Sequence, residues 1–108
     1  MLFARNAGTA HELRELVAAL RAGAAPPPLI AVDQEGGRVE RVRDGVAALP
    51  PAMAFAAAND VALTERAGVL LGRDLARAGI TVNLAPVADL ALHAGGTVIA
   101  TRAYGDDP

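Results

Sequence analysis

Leu29-Ile30-Ala31-Val32-Asp33-Gln34-Glu35-Gly36-Gly37 passes from an unbroken apolar run to acids and glycines within a few residues. The run holds two β-branched residues and no polar alternation, the pattern of a strand buried in a parallel sheet. It stops at Asp33, and Gly36-Gly37 marks a turn. On the N-terminal side a helix precedes it. Thr9 and Glu12 have the spacing of a capping box, and Leu13, Leu16, Val17 and Leu20 recur on one helical face. Gly23 suits the C-terminal cap, and Pro26-Pro27-Pro28 blocks continuation. Leu2 to Ala4 is expected to end a short strand before that helix.

On the C-terminal side, the arginine-studded segment Arg38 to Arg43 leads to an Asp44-Gly45 turn. Leu49-Pro50-Pro51 then opens a brief apolar segment around Met53 and Phe55 that fits a helical turn. A second long helix is predicted from about Val61 to Ala78, capped by Asn59 or Asp60 and ended by Gly79. Leu63, Ala67, Leu70, Leu71, Leu75 and Ala78 supply its apolar face. Gly68 and Gly72 weaken it by ~1 kcal/mol each relative to alanine, and are expected to admit a closely packed neighbour. Ile80 to Val87 reads as a strand and His93 to Pro108 as a loop. The order (β)αβαβ, with helices joining apolar strands, predicts an α/β fold with a parallel sheet. A chain that ends in a long loop reads as part of a larger domain.

The 108 residues allow one domain or part of one. Twelve acidic and ten basic residues give a net charge of −2, which argues against a nucleic-acid partner. The absence of cysteine excludes disulfides and thiolate chemistry, and two histidines, His11 and His93, argue against a multi-histidine metal centre. A hydrophobic content of 53% is too high for a disordered tail, whereas 3% aromatics predicts a core thin in buried area. The longest apolar stretch, Val46 to Ala58, is broken by Pro50 and Pro51 and falls short of the ~20 residues of a membrane span. The N-terminus shows no signal peptide, and localisation, cytoplasmic or exported, stays open.

Ligands of parallel α/β folds meet the carboxyl ends of the strands. Asp33 and Asp89 fall there, with Arg38, Arg41 and Arg102 on the loops that follow. A carboxylate flanked by arginines can hold vicinal hydroxyls, because the acid accepts hydrogen bonds and the guanidinium donates two in a fixed fork. That chemistry suits a sugar. The same residues also have plainer readings. Asp33 can serve as a strand-end cap or ion pair, Asp89 can bond the amides of its own loop, and the arginines can form a solvated stretch. Glu35 fits a structural role in the turn better than that of a second acid. His93 reads as a loop residue and His11 as a residue without a role. Gly36-Gly37 lacks the third glycine and following helix of a dinucleotide site, and Asp33 with Glu35 is too small a set for a divalent cation. No cofactor and no metal are expected.

Four motifs then fall into order. Ala31-Val32-Asp33-Gln34-Glu35-Gly36-Gly37-Arg38-Val39-Glu40-Arg41 resembles the DQEGGRVxR signature of glycoside hydrolase family 3, in particular its bacterial β-N-acetylhexosaminidases. Leu49-Pro50-Pro51-Ala52-Met53-Ala54 is similar to that family's LPxxMAL segment, and Ala78 to Asp89 to its AGINxNxAPVxDV strand. Arg102-Ala103-Tyr104-Gly105-Asp106-Asp107-Pro108 is similar to its RSFGxDP loop. The resemblance covers nearly the whole chain from Phe3.

The resemblance implies a (β/α)8 TIM-type barrel, of which residues 1–108 would supply about the first three βα units, with the remainder of the barrel as partner. It implies retaining hydrolysis of terminal β-linked sugars, in this branch N-acetylglucosamine saccharides that include peptidoglycan fragments. By the same resemblance Asp33, Arg41 and Arg102 line the −1 sugar site. Glu35 and Arg38 match the motif and are assigned to loop structure. The family's aspartate nucleophile and the acid/base histidine after a KHFPGHG-like motif have no counterpart in these residues, which contain no lysine. No catalytic residue is therefore expected within the chain, and the chain alone is expected to be inactive. A β-glucosidase of the same family and a non-catalytic carbohydrate-binding remnant are the alternative readings.

Overall fold

The computed structural model describes residues 1–91 and 98–106. Its centre is a small parallel sheet. β1 (Ala31–Val32) pairs in parallel with β4 (Val82–Asn83), in the register Ala31↔Val82 and Val32↔Asn83. On the other side of β1, Leu2 makes an isolated parallel bridge with Val32. Leu2 therefore holds the expected strand position, but the pairing does not extend to Ala4, which starts a short helix, α1 (Ala4–Ala7).

The helices that connect these segments follow the punctuation of the chain. α2 (Ala10–Ala22) begins at Thr9, whose hydroxyl accepts from Glu12 N at 3.2 Å while Glu12 Oε2 accepts from Thr9 N at 2.7 Å. The Thr9 backbone N–H, and then its hydroxyl, hold the Glu12 carboxyl below the ordinary carboxylate range. Asp44, in the predicted turn, adds a bond from Ala10 N to its Oδ2 at 2.8 Å. α4 (Val61–Arg77) begins at Asp60, whose side chain accepts from Leu63 N at 2.9 Å. Between β1 and α4 lies α3 (Ala52–Ala58), longer than the helical turn expected around Phe55.

Leu13 and Val17 of α2, Leu71 and Leu75 of α4, and Ile30, Val32 and Ile80 form the core with Leu2, Ala7, Val42 and Val46. Each helix contributes a pair four residues apart, which places both side chains on one face. Leu20, Leu63 and Leu70 extend the apolar pattern but are exposed. At the far end of the core, Arg21 Nη2 of α2 donates to Gly79 O at 2.8 Å, closing α2 onto the turn after α4.

Three expectations need correction. The strand predicted from Ile80 to Val87 is reduced to Val82–Asn83, with Leu84 N bonded to Val32 O at 2.8 Å. Its partner β1 stops at Asp33, so later residues have no ladder to join, and Pro86 has no N–H to offer one. The segment after Asp33 is not a simple loop. β2 (Gln34–Gly36) and β3 (Val39–Glu40) form an antiparallel hairpin with an irregular register. Gly68 and Gly72 have no close neighbour among the described residues, where a Cβ at either would meet nothing within 4 Å. His93, Asp107 and Pro108 lie outside the described residues.

Both hairpin glycines are required by close packing. Gly36 has φ +93° and Gly37 φ +58°, and an added Cβ would stand 2.6 Å from Pro50 O and 2.7 Å from Pro51 Cβ respectively. Gly37 N also donates to Leu49 O at 2.8 Å, so the Leu49-Pro50-Pro51 segment lies directly against the turn.

Substituting Gly37→Ala is expected to cost roughly 1–3 kcal/mol through strain and collision, read as a lower urea midpoint. Gly68→Ala is expected to do the opposite, stabilising by about 0.5–1 kcal/mol, because it adds helix propensity in open space. A loss on Gly68→Ala would point to a close neighbour at this helix face beyond the described residues.

Candidate functional site

Along Val32-Asp33-Gln34-Glu35-Gly36 burial alternates, with Val32, Gln34 and Gly36 buried and Asp33 and Glu35 partly open. A period of two puts alternate side chains on opposite faces. Both acids thus share the open side, and Gln34 is driven inward, where it is only 1% exposed.

A buried amide requires partners. Gln34 Oε1 accepts from Arg41 N at 2.8 Å and from Val42 N at 2.9 Å, and its Nε2 donates to Val42 O at 2.8 Å. The side chain acts as an extra backbone segment that fixes the chain beyond β3. The Gln34 backbone is held from the other side: its N donates to Asn83 Oδ1 at 3.0 Å, and Asn83 Nδ2 donates to Gln34 O at 2.9 Å. Gln34 and Asn83 were not singled out from sequence. The available signal was the period-two pattern continuing past Val32, which carries Gln34 to the buried face.

With Arg41 fixed in this way, its Nη2 lies 3.4 Å from Asp33 Oδ2. The pair is long, through one nitrogen only, and its side chains are 32% and 20% exposed for Arg41 and Asp33. Arg41 Nε is buried without a hydrogen-bond partner among the described residues. It is the single long contact through Nη2, on partly exposed side chains, that leaves both residues bonding capacity for a ligand.

Arg102, on the 3₁₀ turn Ala100–Arg102, makes a different pair. Its Nε donates to Glu35 Oε2 at 2.8 Å and its Nη2 to Glu35 Oε1 at 2.7 Å, a two-pronged contact. Glu35 is 8% exposed and Arg102 21%. The bonded Glu35 carboxylate raises the Arg102 pKa above its ordinary value, with further Coulombic support from Asp33 and Asp89. The sequence places Asp33, Arg41 and Arg102 far apart, and the hairpin brings them into one electrostatic neighbourhood. Arg38, read alternatively as part of a solvated stretch, is exposed but tethered, its Nη2 donating to Val98 O at 2.7 Å. His11 lies on the outside of α2, 3.5 Å from Glu15.

Among the described residues three acids, Asp33, Glu35 and Asp89, stand against three arginines, Arg38, Arg41 and Arg102. Their formal charge is balanced, and the open bonding positions suit an uncharged molecule rich in hydroxyls. A cavity of 280 Å³ touches this group at Glu35 and is lined also by Gln34, Asn83, Pro86, Leu71 and Tyr104. A more open cavity of 580 Å³ is lined by Phe55, Asn59, Asp60, Thr64 and Tyr104. Neither cavity is lined by Asp33, Arg41 or Arg102.

Comparison with known proteins agrees along the whole chain. The family description "Glycosyl hydrolase family 3 N terminal domain" matches residues 1–108. A β-hexosaminidase of Photobacterium profundum is 44% identical over 109 residues, covering all of this chain and 32% of the relative. A family 3 β-N-acetylglucosaminidase from Paenibacillus sp. str. FPU-7 superposes with a TM-score of 0.91 at 39% identity, covering 96% of this chain and 20% of that structure. NagZ from Neisseria gonorrhoeae, in complex with N-trifluoroacetyl-D-glucosamine, superposes with a TM-score of 0.81 at 30% identity, covering 99% and 33% respectively. The chain spans about a third of the length of the curated relatives it matches. Sheet order, hairpin and sequence match converge on one assignment: the chain belongs to glycosyl hydrolase family 3, within the family's N-terminal domain.

Proposed function

We propose that this chain supplies part of the −1 sugar site of a retaining glycoside hydrolase that removes terminal β-linked N-acetylglucosamine, including that of cell-wall saccharides. In this reading it forms about the first three units of a (β/α)8 barrel. The observation that carries it is the open Asp33–Arg41 pair at the carboxyl end of β1, in a charge-balanced group with Arg102. The relatives named β-hexosaminidase and β-N-acetylglucosaminidase, and the neighbour holding an N-acylglucosamine, support the choice of sugar.

The role of these residues is positioning. Asp33 accepts hydrogen bonds from sugar hydroxyls, and Arg41 and Arg102 donate to hydroxyl oxygens, so the terminal sugar is held in one orientation. Retaining hydrolysis needs a nucleophilic carboxylate and an acid/base group on opposite sides of the scissile bond. Glu35 has both oxygens engaged by Arg102, which leaves it unsuited to either task. The reacting groups are therefore assigned to parts of the hydrolase other than residues 1–108.

In the whole hydrolase, Asp33→Ala is expected to lower kcat/KM for an aryl β-N-acetylglucosaminide by on the order of 100-fold, from the loss of charge-assisted hydrogen bonds to the sugar. Unchanged turnover would remove Asp33 from the site. Residues 1–108 alone are expected to release no aryl product, and activity clearly above background would overturn the assignment of the reacting groups elsewhere.

A further inference from the structure

Arg102 reaches the site from a loop that lies 67 residues beyond Glu35 in the chain, yet the contact between them is the shortest and most directional ion pair among the described residues. A guanidinium on a free arginine samples many orientations, and a ligand that uses it must select one. Here one edge of the guanidinium, Nε and Nη2, is occupied by the Glu35 carboxylate. That leaves Nη1 and the outer hydrogen of Nη2 to donate in a fixed direction. Among the described residues Nη1 has only a long contact, 3.5 Å, to Val98 O.

The loop itself is held by the same hairpin. Arg38, three residues after Glu35, donates to Val98 O at 2.7 Å, just ahead of the 3₁₀ turn that carries Arg102. Glu35 thus sets the direction of the side chain, and Arg38 tethers the backbone that presents it. The Glu35 charge also offsets that of Arg102, so the arginine acts as a hydroxyl donor without making the site attractive to anions.

We infer that Glu35 is a positioning residue for sugar binding, acting through Arg102 and making no contact with the substrate. The inference rests on the proposed place of Arg102 in the sugar site.

The test is a double-mutant cycle on the whole hydrolase, with an aryl β-N-acetylglucosaminide as substrate and with Arg102→Ala, Glu35→Ala, the double variant and the isosteric Glu35→Gln. Arg102→Ala is expected to lower kcat/KM on the order of 10- to 100-fold. Glu35→Ala is expected to lose a similar factor, mostly through KM, and Glu35→Gln a smaller one. In the Arg102→Ala background, Glu35→Ala is expected to cost less than about twofold, because the group it orients is gone. A glutamate that acts independently of Arg102 would give losses that multiply in the double variant, and that result would overturn the inference, as would a Glu35→Ala loss confined to kcat with KM unchanged. So would an unaffected Glu35→Ala beside an impaired Arg102→Ala. Where Glu35→Ala does not fold, Glu35→Gln replaces it in the cycle and is read in the same way. An unaffected Arg102→Ala overturns the sugar-site reading itself, and it does so without reference to Glu35.

Discussion

The buried amide of Gln34 is the contact on which the site depends. It accepts two backbone N–H groups, donates to one carbonyl, and has its own backbone amide and carbonyl held by Asn83. Few other side chains could serve. A glutamate would bury a charge facing the Val42 carbonyl, and a leucine would strand the Arg41 and Val42 amides. Through this contact the end of β1, the segment after β3 and the end of β4 become one rigid unit. The open-side acids, Asp33 and Glu35, take their directions from it, since a residue on each side of an inward-facing glutamine must face outward.

The two ion pairs on that unit differ in kind. Glu35 and Arg102 are closely matched and largely shielded, a contact in which both carboxylate oxygens are engaged. Asp33 and Arg41 are loosely matched and open, a contact that can be rearranged or bridged by a polyhydroxyl molecule. A binding site needs both: rigid partners that fix geometry, and adjacent groups whose bonding capacity is unspent. Among the described residues the equal number of acids and arginines keeps the local charge balanced, which favours hydrogen-bond direction over charge as a means of recognition.

Much of this was legible in the chain itself. Thr9 with Glu12, and Asn59-Asp60 before Val61, announce helix starts that the structure confirms, Asp60 being the cap, and Val32-Asp33 announces the strand end where the acids lie. What was not legible depends on contacts between distant segments. Gly68 and Gly72 carry the small-residue spacing of a close helix contact, but no described neighbour stands over them. The hairpin of β2 and β3 was hidden because its strands are only three and two residues long and carry no apolar alternation, and only the approach of Pro50 and Pro51 shows why both glycines are needed. The Glu35–Arg102 pair could not be derived from spacing, since the residues lie 67 apart with nothing in the pattern to join them.

The most direct measurement is a crystal structure of the whole hydrolase with N-acetylglucosamine bound. The expected result has sugar hydroxyls within about 3 Å of the Asp33 carboxylate and of the Arg41 and Arg102 guanidinium groups, with Glu35 still bound to Arg102 and Gln34 still bridging to Val42. A sugar seated away from Asp33, or an Arg102 that abandons Glu35 to reach it, would contradict a preorganised site built on this hairpin.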